Sequence, residues 1–517
     1  MAKALHPSTS WLTRVPRSWW LVTALGLVIL GLSQVRPPLE ITPHLTFKTP
    51  EGVVVHTRYR TVNASALCTL SLKTAQQAIH QACPGCVVTR LACDPDQTLF
   101  ANPSQPSDQV FQFSGGQMFI RHDQQSDLAK GFCQALDQAR VGQGRCLGES
   151  SVIAKPLTVQ GYPSDLTRSL AWAFAVSLMT ALLTVLTQRW HLQWTGDHPQ
   201  MGVQKVHTTP RPRVGGIAVW AGVTAGLAQL IWSGSPLTPF AVLSTIAALP
   251  VFLMGLVEDI QKSTSTSARF WAAIASALLA WWLTGIALNR LDITIVDGWL
   301  TWLPAAIALS CLASAGLTNA VNIIDGQHGL AIGSGLISLL GLAYIAHSQL
   351  DPSLAVSIWI VCAALGGLFL VNYPSGRIFL GDAGAYLLGY LLAWFAIALV
   401  VRNPSVSAWS VLVICGYPVI ETVYSMFRRV RRKSRLDSPD RAHLHSLIKR
   451  KIVTMDRWRQ LTDDQRNALV APPIWIWNAI FIITAIWLID NPLMGAAVFA
   501  IQIISFVGVH GLMAQGD

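Results

Sequence analysis

Five stretches of the chain set ionisable and amide side chains beside glycine at the ends of long apolar runs. They are "DHPQMGVQKVHTTPRPRVGG" (Asp197–Gly216), "GLVEDIQ" with Glu258 and Asp259, and "NAVNIIDGQHGLA" with Asn319, Asn322, Asp325 and His328. Two more follow: "NYPSGRIFLGDAG" with Asn372, Arg377, Phe379 and Asp382, and "SPDRAHLHSLIKRK" with Asp440, Arg441, His443 and His445. One carboxylate at a helix end is often a cap, a basic loop is usually a topology anchor, and a lone interfacial histidine is usually structural. The conjunction argues for more, because charges in a membrane zone cost a few kcal/mol and generally pair, bind ions or line a substrate path. Acidic groups from three loops, with no base inside the runs to offset them, suit a divalent cation. Sparse, oxygen-only ligands favour Mg2+, with Mn2+ the alternative, and Mg2+ shares its shell with substrate phosphates. Glycines beside Asp325 and Asp382 let backbone approach a ligand closely. Lys205, His207, Arg211, Arg213, Arg441, His443 and His445 supply donors for phosphate oxygens. These residues describe phosphate transfer at one membrane face.

The elements that must position them are transmembrane helices. Only 12% of the 517 residues are charged, against about 25% in soluble proteins, and the mean hydropathy is +0.44. Twenty tryptophans suit many membrane–water interfaces. A net charge of +11 reads as positive-inside topology and attraction to anionic lipid; no nucleic-acid motif accompanies it. Read as apolar runs of roughly 17–25 residues, the spans are an uncleaved N-terminal anchor (Ser18–Val35) and eleven more. These lie near 166–188, 214–233, 238–257, 269–287, 302–318, 329–347, 354–371, 384–401, 407–426, 473–489 and 493–513. The basic loops place both termini and all five polar stretches in the cytoplasm, and residues 36–165 outside. The expected fold is an all-α polytopic membrane protein in three parts. Residues 1–35 form the cytoplasmic N terminus and anchor, 36–165 a small extracytoplasmic α+β domain, and 166–517 the multi-span domain with its site on the cytoplasmic face.

Six of nine cysteines (Cys68, Cys83, Cys86, Cys93, Cys133, Cys146) fall in 36–165. An even set in an oxidising compartment predicts up to three structural disulfides, with 15 pairings open. "CPGC" at Cys83–Cys86 also fits a redox pair, but nothing sets it between a strand and a helix. The sequon at Asn63 carries little weight in a bacterial chain. Cys311, Cys362 and Cys415 read as small buried hydrophobes.

"KVHTTPRPRVGGIAV", "NAVNIIDGQHGLA", "RIFLGDAG" and "SPDRAHLH", in this order, resemble the motifs of the polyprenyl-phosphate N-acetylhexosamine-1-phosphate transferases. The nearer resemblance is to the undecaprenyl-phosphate GlcNAc-1-phosphate branch, and it covers roughly 166–517. It implies a Mg2+-dependent enzyme of the bacterial inner membrane that starts a lipid-linked surface glycan such as O-antigen. An undecaprenyl-type phosphate attacks the β-phosphate of a UDP-sugar, UMP leaves, and a polyprenyl-diphosphate-sugar remains. By the same resemblance Asp382 is the principal metal ligand, with Asp325 beside it. Asp259 is a lipid-phosphate base or metal helper, with Glu258 its catalytic neighbour. Asn372, Phe379, His328 and Asn322 would contact the nucleotide. Lys205, His207, Arg211, Arg441, His443 and His445 would hold the phosphates. An unidentified extracytoplasmic partner is expected for 36–165, and a homodimer is left open.

Three positions depart from the family pattern. Glu258 replaces the first Asp of an Asp-Asp pair, His328 replaces the second Asp of "DGxDG", and Ala385 stands where Ser is usual. The rival readings are a phospho-MurNAc-pentapeptide transferase, whose loop normally carries three adjacent histidines, and a degenerate lipid-binding or transport relative.

Overall fold

The computed structural model describes residues 42–59, 85–94, 109–113, 116–121, 129–130, 133–134, 145–149, 164–197, 210–235, 237–349, 351–433, 442–455 and 460–515. The expected anchor, Asn63, Cys68, Cys83, Lys205, His207 and Arg441 lie outside these residues. The chain divides into two compact units, one of them Leu32–Gln160.

That unit holds a six-stranded antiparallel sheet: β1 Thr42–Lys48, β2 Val54–Tyr59, β3 Val87–Asp94, β4 Gln109–Phe113, β5 Gly116–Arg121 and β6 Arg145–Glu149. The strand order is β3-β1-β2-β5-β4-β6. Leu45 and Phe47 alternate inward along β1 and meet Val55 and Ile120, all buried, as a period of two requires when one face of a sheet is covered. Cys86 and Cys133 are buried and each is disulfide-bonded, whereas Cys311, Cys362 and Cys415 are free and buried.

The other unit is helical. It runs α1 Ser164–Leu186, α2 Gln188–Thr195, a short β7 Gly196–Asp197 and β8 Arg211–Pro212, then α3 Gly215–Trp232, α4 Thr238–Ala247, α5 Leu249–Gln261 and α6 Thr266–Thr284. It continues with α7 Thr294–Leu300, α8 Leu303–Ile324, α9 Leu330–Ser348, α10 Pro352–Asn372, α11 Gly381–Arg402, α12 Ala408–Ile414 and α13 Gly416–Arg431. It ends in α14 Leu444–Thr454, α15 Asp463–Ala468, α16 Ala471–Trp487 and α17 Pro492–Ala514. Proline at the first turn starts α5, α8, α10, α16 and α17, where its missing N–H would have no helical partner anyway.

Among the described residues, eight helices are long and apolar enough to cross a bilayer. Counting each bent pair as one span gives ten: α4 with α5 at 43°, and α12 with α13 at 81°. The protein is therefore a polytopic helical membrane protein. Of the eleven later spans read from sequence, 269–287 is the exception: it is a helix, α6, but not among the apolar spans.

Burial sorts the helices. α11 is apolar on every face and 94% buried, the pattern of a helix enclosed by others, while α1 and α17 are 22% buried and present apolar faces outward. α5, α8 and α3 pack on α11, so the N terminus of α11 is where the polar loops must meet.

Candidate active site

Glycine lets three backbones close on the start of α11. The Gly215 N–H donates to the Phe379 carbonyl at 3.0 Å, Gly216 to Leu380 at 2.9 Å, and Phe379 returns a bond to the Pro212 carbonyl at 2.8 Å. A Cβ on Gly216 would strike the backbone of Ala383 and Gly384, and one on Gly255 would strike Asp382 and Ala383. Gly381 has φ +74, and its Cβ would run into the Arg213 carbonyl. We expect Gly381→Ala to lower stability by at least roughly 1–2 kcal/mol from the left-handed backbone alone. The added clash should also remove activity, and a thermal melt with a turnover assay in the same detergent measures both.

Onto this frame the loops deliver a charged centre. Asp259, 0% exposed at the inner end of α5, accepts the backbone N–H groups of Asp382 at 2.8 Å and Ala383 at 2.9 Å. It thereby caps the N terminus of α11, where anions are favoured. Arg213 bridges two carboxylates: its Nε donates to Asp259 Oδ1 at 3.2 Å and its Nη2 to Asp382 Oδ2 at 3.0 Å. Asn322 Nδ2 donates to Asp382 Oδ1 at 2.6 Å, and Asp325, beyond the end of α8, lies near the Gly381 N–H. Burial, reinforced by the negative charge of Asp382, pushes the Asp325 carboxyl up to about 7; Arg213 and the Gly381 N–H act the other way. Among the described residues, three carboxylates thus share the guanidinium of Arg213, leaving a surplus of negative charge there.

That surplus is the test of fit for a divalent cation. Asp382 keeps 13% of its side chain exposed, and Asp325 is half-buried, so both present oxygens of the hard, anionic kind that Mg2+ takes. Among the described residues no three His, Cys, Asp or Glu side chains already stand as a ready-made ligand set. Two protein carboxylates with substrate phosphates completing the shell is the usual Mg2+ arrangement.

Several residues expected at the ligand have other partners. Asp259, expected as a base for the lipid phosphate, is sealed from solvent and its oxygens serve α11 and Arg213. Glu258, expected to be catalytic, turns to the loop before α6, accepting from Thr264 N at 2.8 Å and Oγ1 at 2.6 Å, with Arg269 at 3.9 Å. Asn372 is 3% exposed; its amide accepts from Gly329 N and donates to the Ile378 carbonyl, both at 2.7 Å. It ties two loops together rather than facing a base. Asn322 faces Asp382 and not a nucleotide pocket.

His328 is likewise buried. Its backbone N–H donates to Asn467 Oδ1 at 2.8 Å, and its Nδ1 lies 3.2 Å from the Pro374 carbonyl. A carbonyl only accepts, so Nδ1 carries the proton. Burial holds the ring below the usual histidine range, against the Pro374 bond and the charge of Asp464. His328 is therefore a neutral wedge beside the half-buried Phe379, whose ring centroid is 5.8 Å away, and not a donor to phosphate. Phe379 retains the exposure that stacking on a base requires.

Of the expected phosphate ligands, Arg211 pairs with Asp464 at 3.1 Å. His443 and His445 stack in parallel at 5.4 Å, and His445 Nε2 points toward Gly326, beside Asp325. Two groups escaped sequence reasoning. Glu421 was hidden in the run "VLVICGYPVIETVYSM", although a lone acid there is itself a signal. Lys449 follows His445 by one helical turn, and its ammonium is buried with no hydrogen-bond partner among the described residues. Burial pulls it down from 10.5 to about 8, against Asp463 and Asp464. Between those values the unfolded chain binds more protons, so stability should rise with pH from about 8 to about 10.5, by about 3 kcal/mol at most. We expect Lys449→Met to flatten that rise in melts recorded across the range.

A sequence profile described as glycosyl transferase family 4 matches residues 241–400. The probable undecaprenyl-phosphate N-acetylglucosaminyl 1-phosphate transferase of Bacillus subtilis (strain 168) is 31% identical over 287 residues, covering 53% of this chain and 75% of that one. The chain belongs to glycosyl transferase family 4. The undecaprenyl-phosphate alpha-N-acetylglucosaminyl 1-phosphate transferase of Thermotoga maritima is 28% identical to this family 4 member, over 56% of this chain and 83% of its own. The decaprenyl-phosphate N-acetylglucosaminephosphotransferase of Mycobacterium tuberculosis (strain ATCC 25618 / H37Rv) is 26% identical, over 60% of this chain and 81% of its own. The family and branch resemblance of the four motifs is thus borne out, and the family match spans the helices that build the carboxylate centre.

Proposed function

We propose that this membrane transferase moves an N-acetylhexosamine-1-phosphate, GlcNAc-1-phosphate first among the candidates, from a UDP-sugar to a polyprenyl phosphate. A phosphate oxygen of the lipid attacks the β-phosphorus of the donor, the bond to the bridging oxygen breaks, and UMP leaves. The observation that carries this reading is the Asp382 centre, where Arg213, Asp259, and Asn322 with Asp325 converge from three segments on one end of the bundle. Phosphoryl transfer asks mainly for positioning and charge neutralisation, and the acceptor phosphate is already largely ionised at neutral pH (second pKa about 6). No buried base is then required, which agrees with Asp259 serving α11 instead.

An apolar groove of about 450 Å³ is lined by residues of α8, α11, α12 and α13 such as Leu312, Gly316, Ala320, Ile397, Leu412 and Met426, a surface suited to a lipid tail. Mg2+ held by Asp382 and Asp325 would neutralise the donor diphosphate and the leaving UMP. Arg213 keeps both neighbouring carboxylates oriented, Phe379 offers a stacking face to uracil, and His443 and His445 reach the diphosphate. Lys205, His207 and Arg441 complete the phosphate donors in this reading. The site faces the cytoplasm of a bacterial plasma membrane, with both termini on that side and the sheet unit outside, where its disulfides are stable. The relatives' names favour the GlcNAc branch over the pentapeptide one.

The test is UMP release by purified protein in detergent with undecaprenyl phosphate, Mg2+ and a panel of UDP-sugars. Release with one UDP-N-acetylhexosamine, abolished by EDTA and restored by Mg2+, is the expected result. Folded protein that releases no UMP from any donor would overturn the proposal.

A further inference from the structure

We propose that Ser338 and Gln502 are positioning residues for the transfer, holding the bend between α12 and α13 that shapes the apolar groove; the inference rests on the transferase reading above. A continuous helix would give the Ile414 carbonyl the N–H of residue 418, but Pro418 has none and its ring crowds that carbonyl. The chain breaks there instead: α12 ends at Ile414, α13 starts at Gly416, and the bend between them is 81°. Two side chains from neighbouring spans meet the carbonyls at the break. Ser338 Oγ, on α9, donates to the Ile414 carbonyl at 2.8 Å, and Gln502 Nε2, on α17, donates to the Val413 carbonyl at 3.3 Å. Within a membrane, carbonyls released by proline are met by such side chains because bulk water is absent.

Both donors are buried in apolar spans, Gln502 with no exposure at all, and Gln502 Oε1 has no hydrogen-bond partner among the described residues. A buried amide left half-satisfied costs stability that an apolar side chain would not, so the bond to Val413 is what accounts for glutamine in this span. Gly416 admits it, since a Cβ there would strike the Gln502 amide. The bend bears on function because both of its arms wall the groove, α12 through Trp409, Val411 and Leu412, and α13 through Val419, Val423 and Met426. The last three recur at the spacing of one helix face. A change in the angle between the arms therefore moves one wall of the surface on which the lipid tail would lie. The bonds of Arg213 to Asp259 and Asp382 belong to other segments and would stay in place.

The test measures KM for undecaprenyl phosphate and for the UDP-sugar donor in Ser338→Ala and Gln502→Leu, and the α13 angle by double electron–electron resonance. Spin labels go on Trp232→Cys and Val430→Cys, both exposed, near the ends of α3 and α13; Cys311, Cys362 and Cys415 are buried. Each variant should broaden or shift the distance between the labels. Each should raise acceptor KM by roughly 5- to 30-fold, as loss of one hydrogen bond to a buried carbonyl allows, with donor KM within about twofold of wild type. A merely structural role would lower the melting temperature without that split. Ser338→Ala removes only a hydroxyl, so it decides the proposal if Gln502→Leu does not fold. Pro418→Ala supplies a cycle: with an N–H restored to the Ile414 carbonyl, adding Ser338→Ala should change neither distance nor KM further. A further change there, unchanged distances in Ser338→Ala and Gln502→Leu, or donor and acceptor KM rising together would overturn the proposal. Wild-type protein without turnover would defeat the transferase reading alone, and the distances would still decide whether Ser338 and Gln502 hold the bend.

Discussion

Asp382→Asn is expected to reduce UMP release by roughly a hundredfold to a thousandfold or more while leaving the melting temperature nearly unchanged. The magnitude is that of removing one preorganised electrostatic contact from a reacting centre, and loss of the proposed Mg2+ ligand adds to it. Fold stability should survive because the amide is isosteric. Asn keeps one oxygen for Asn322 or Arg213, and Arg213 retains Asp259 at 3.2 Å. Asp382 also keeps 13% of its side chain exposed, so water can satisfy what the substitution leaves unpaired. Turnover near wild type in Asp382→Asn would remove the carboxylate centre from the mechanism.

Asp259→Asn is expected to behave differently, losing stability and activity together. Its carboxylate is 0% exposed and accepts from Asp382 N, Ala383 N and Arg213 Nε. An Asn there turns an NH2 group toward donors and leaves one of them unmet. Breaking a buried charged pair costs about 3–5 kcal/mol, enough to lower the melting temperature by many degrees in a marginally stable fold. Activity would fall because Asp382 rides on the backbone that Asp259 caps. A base acting directly on the lipid phosphate would give the opposite signature: inactive protein with a wild-type melt. The paired measurement on Asp259→Asn and Asp382→Asn therefore separates a positioning carboxylate from a reacting one.

The membrane class, the gathering of polar segments at one end of the bundle and the family were all legible without coordinates. Apolar run length and Lys/Arg placement answer to the bilayer, a solvent whose demands are one-dimensional along the chain. The "GDAG" glycine Gly381 was legible as a point of close approach, although what approaches it in the fold is the Arg213 carbonyl. The 269–287 segment was read as a full span from its apolar tail, but Arg269 and the small polar residues around it dilute the helix. The bends at Ala248 and Cys415 had no marker in the span count.

What each polar residue does was decided only by the folded chain. From sequence Asp259, Asp325 and Asp382 are three acids at helix ends, equal in type and similar in setting. Tertiary structure separates them by burial and by the donors each one meets: backbone N–H groups for Asp259, an Asn and an Arg for Asp382, and one Gly N–H for Asp325. Packing turns His328 and Asn372 inward as loop staples. Glu421 and His443 are 22 residues apart, and nothing local in either stretch foretells their bond. Composition and periodicity determined that this is a polytopic membrane protein with a one-sided polar face, because those properties are sums over local sequence. Hydrogen-bond partnership is a relation between distant residues, and only the packing of α5, α8, α11 and α13 around one another could assign it.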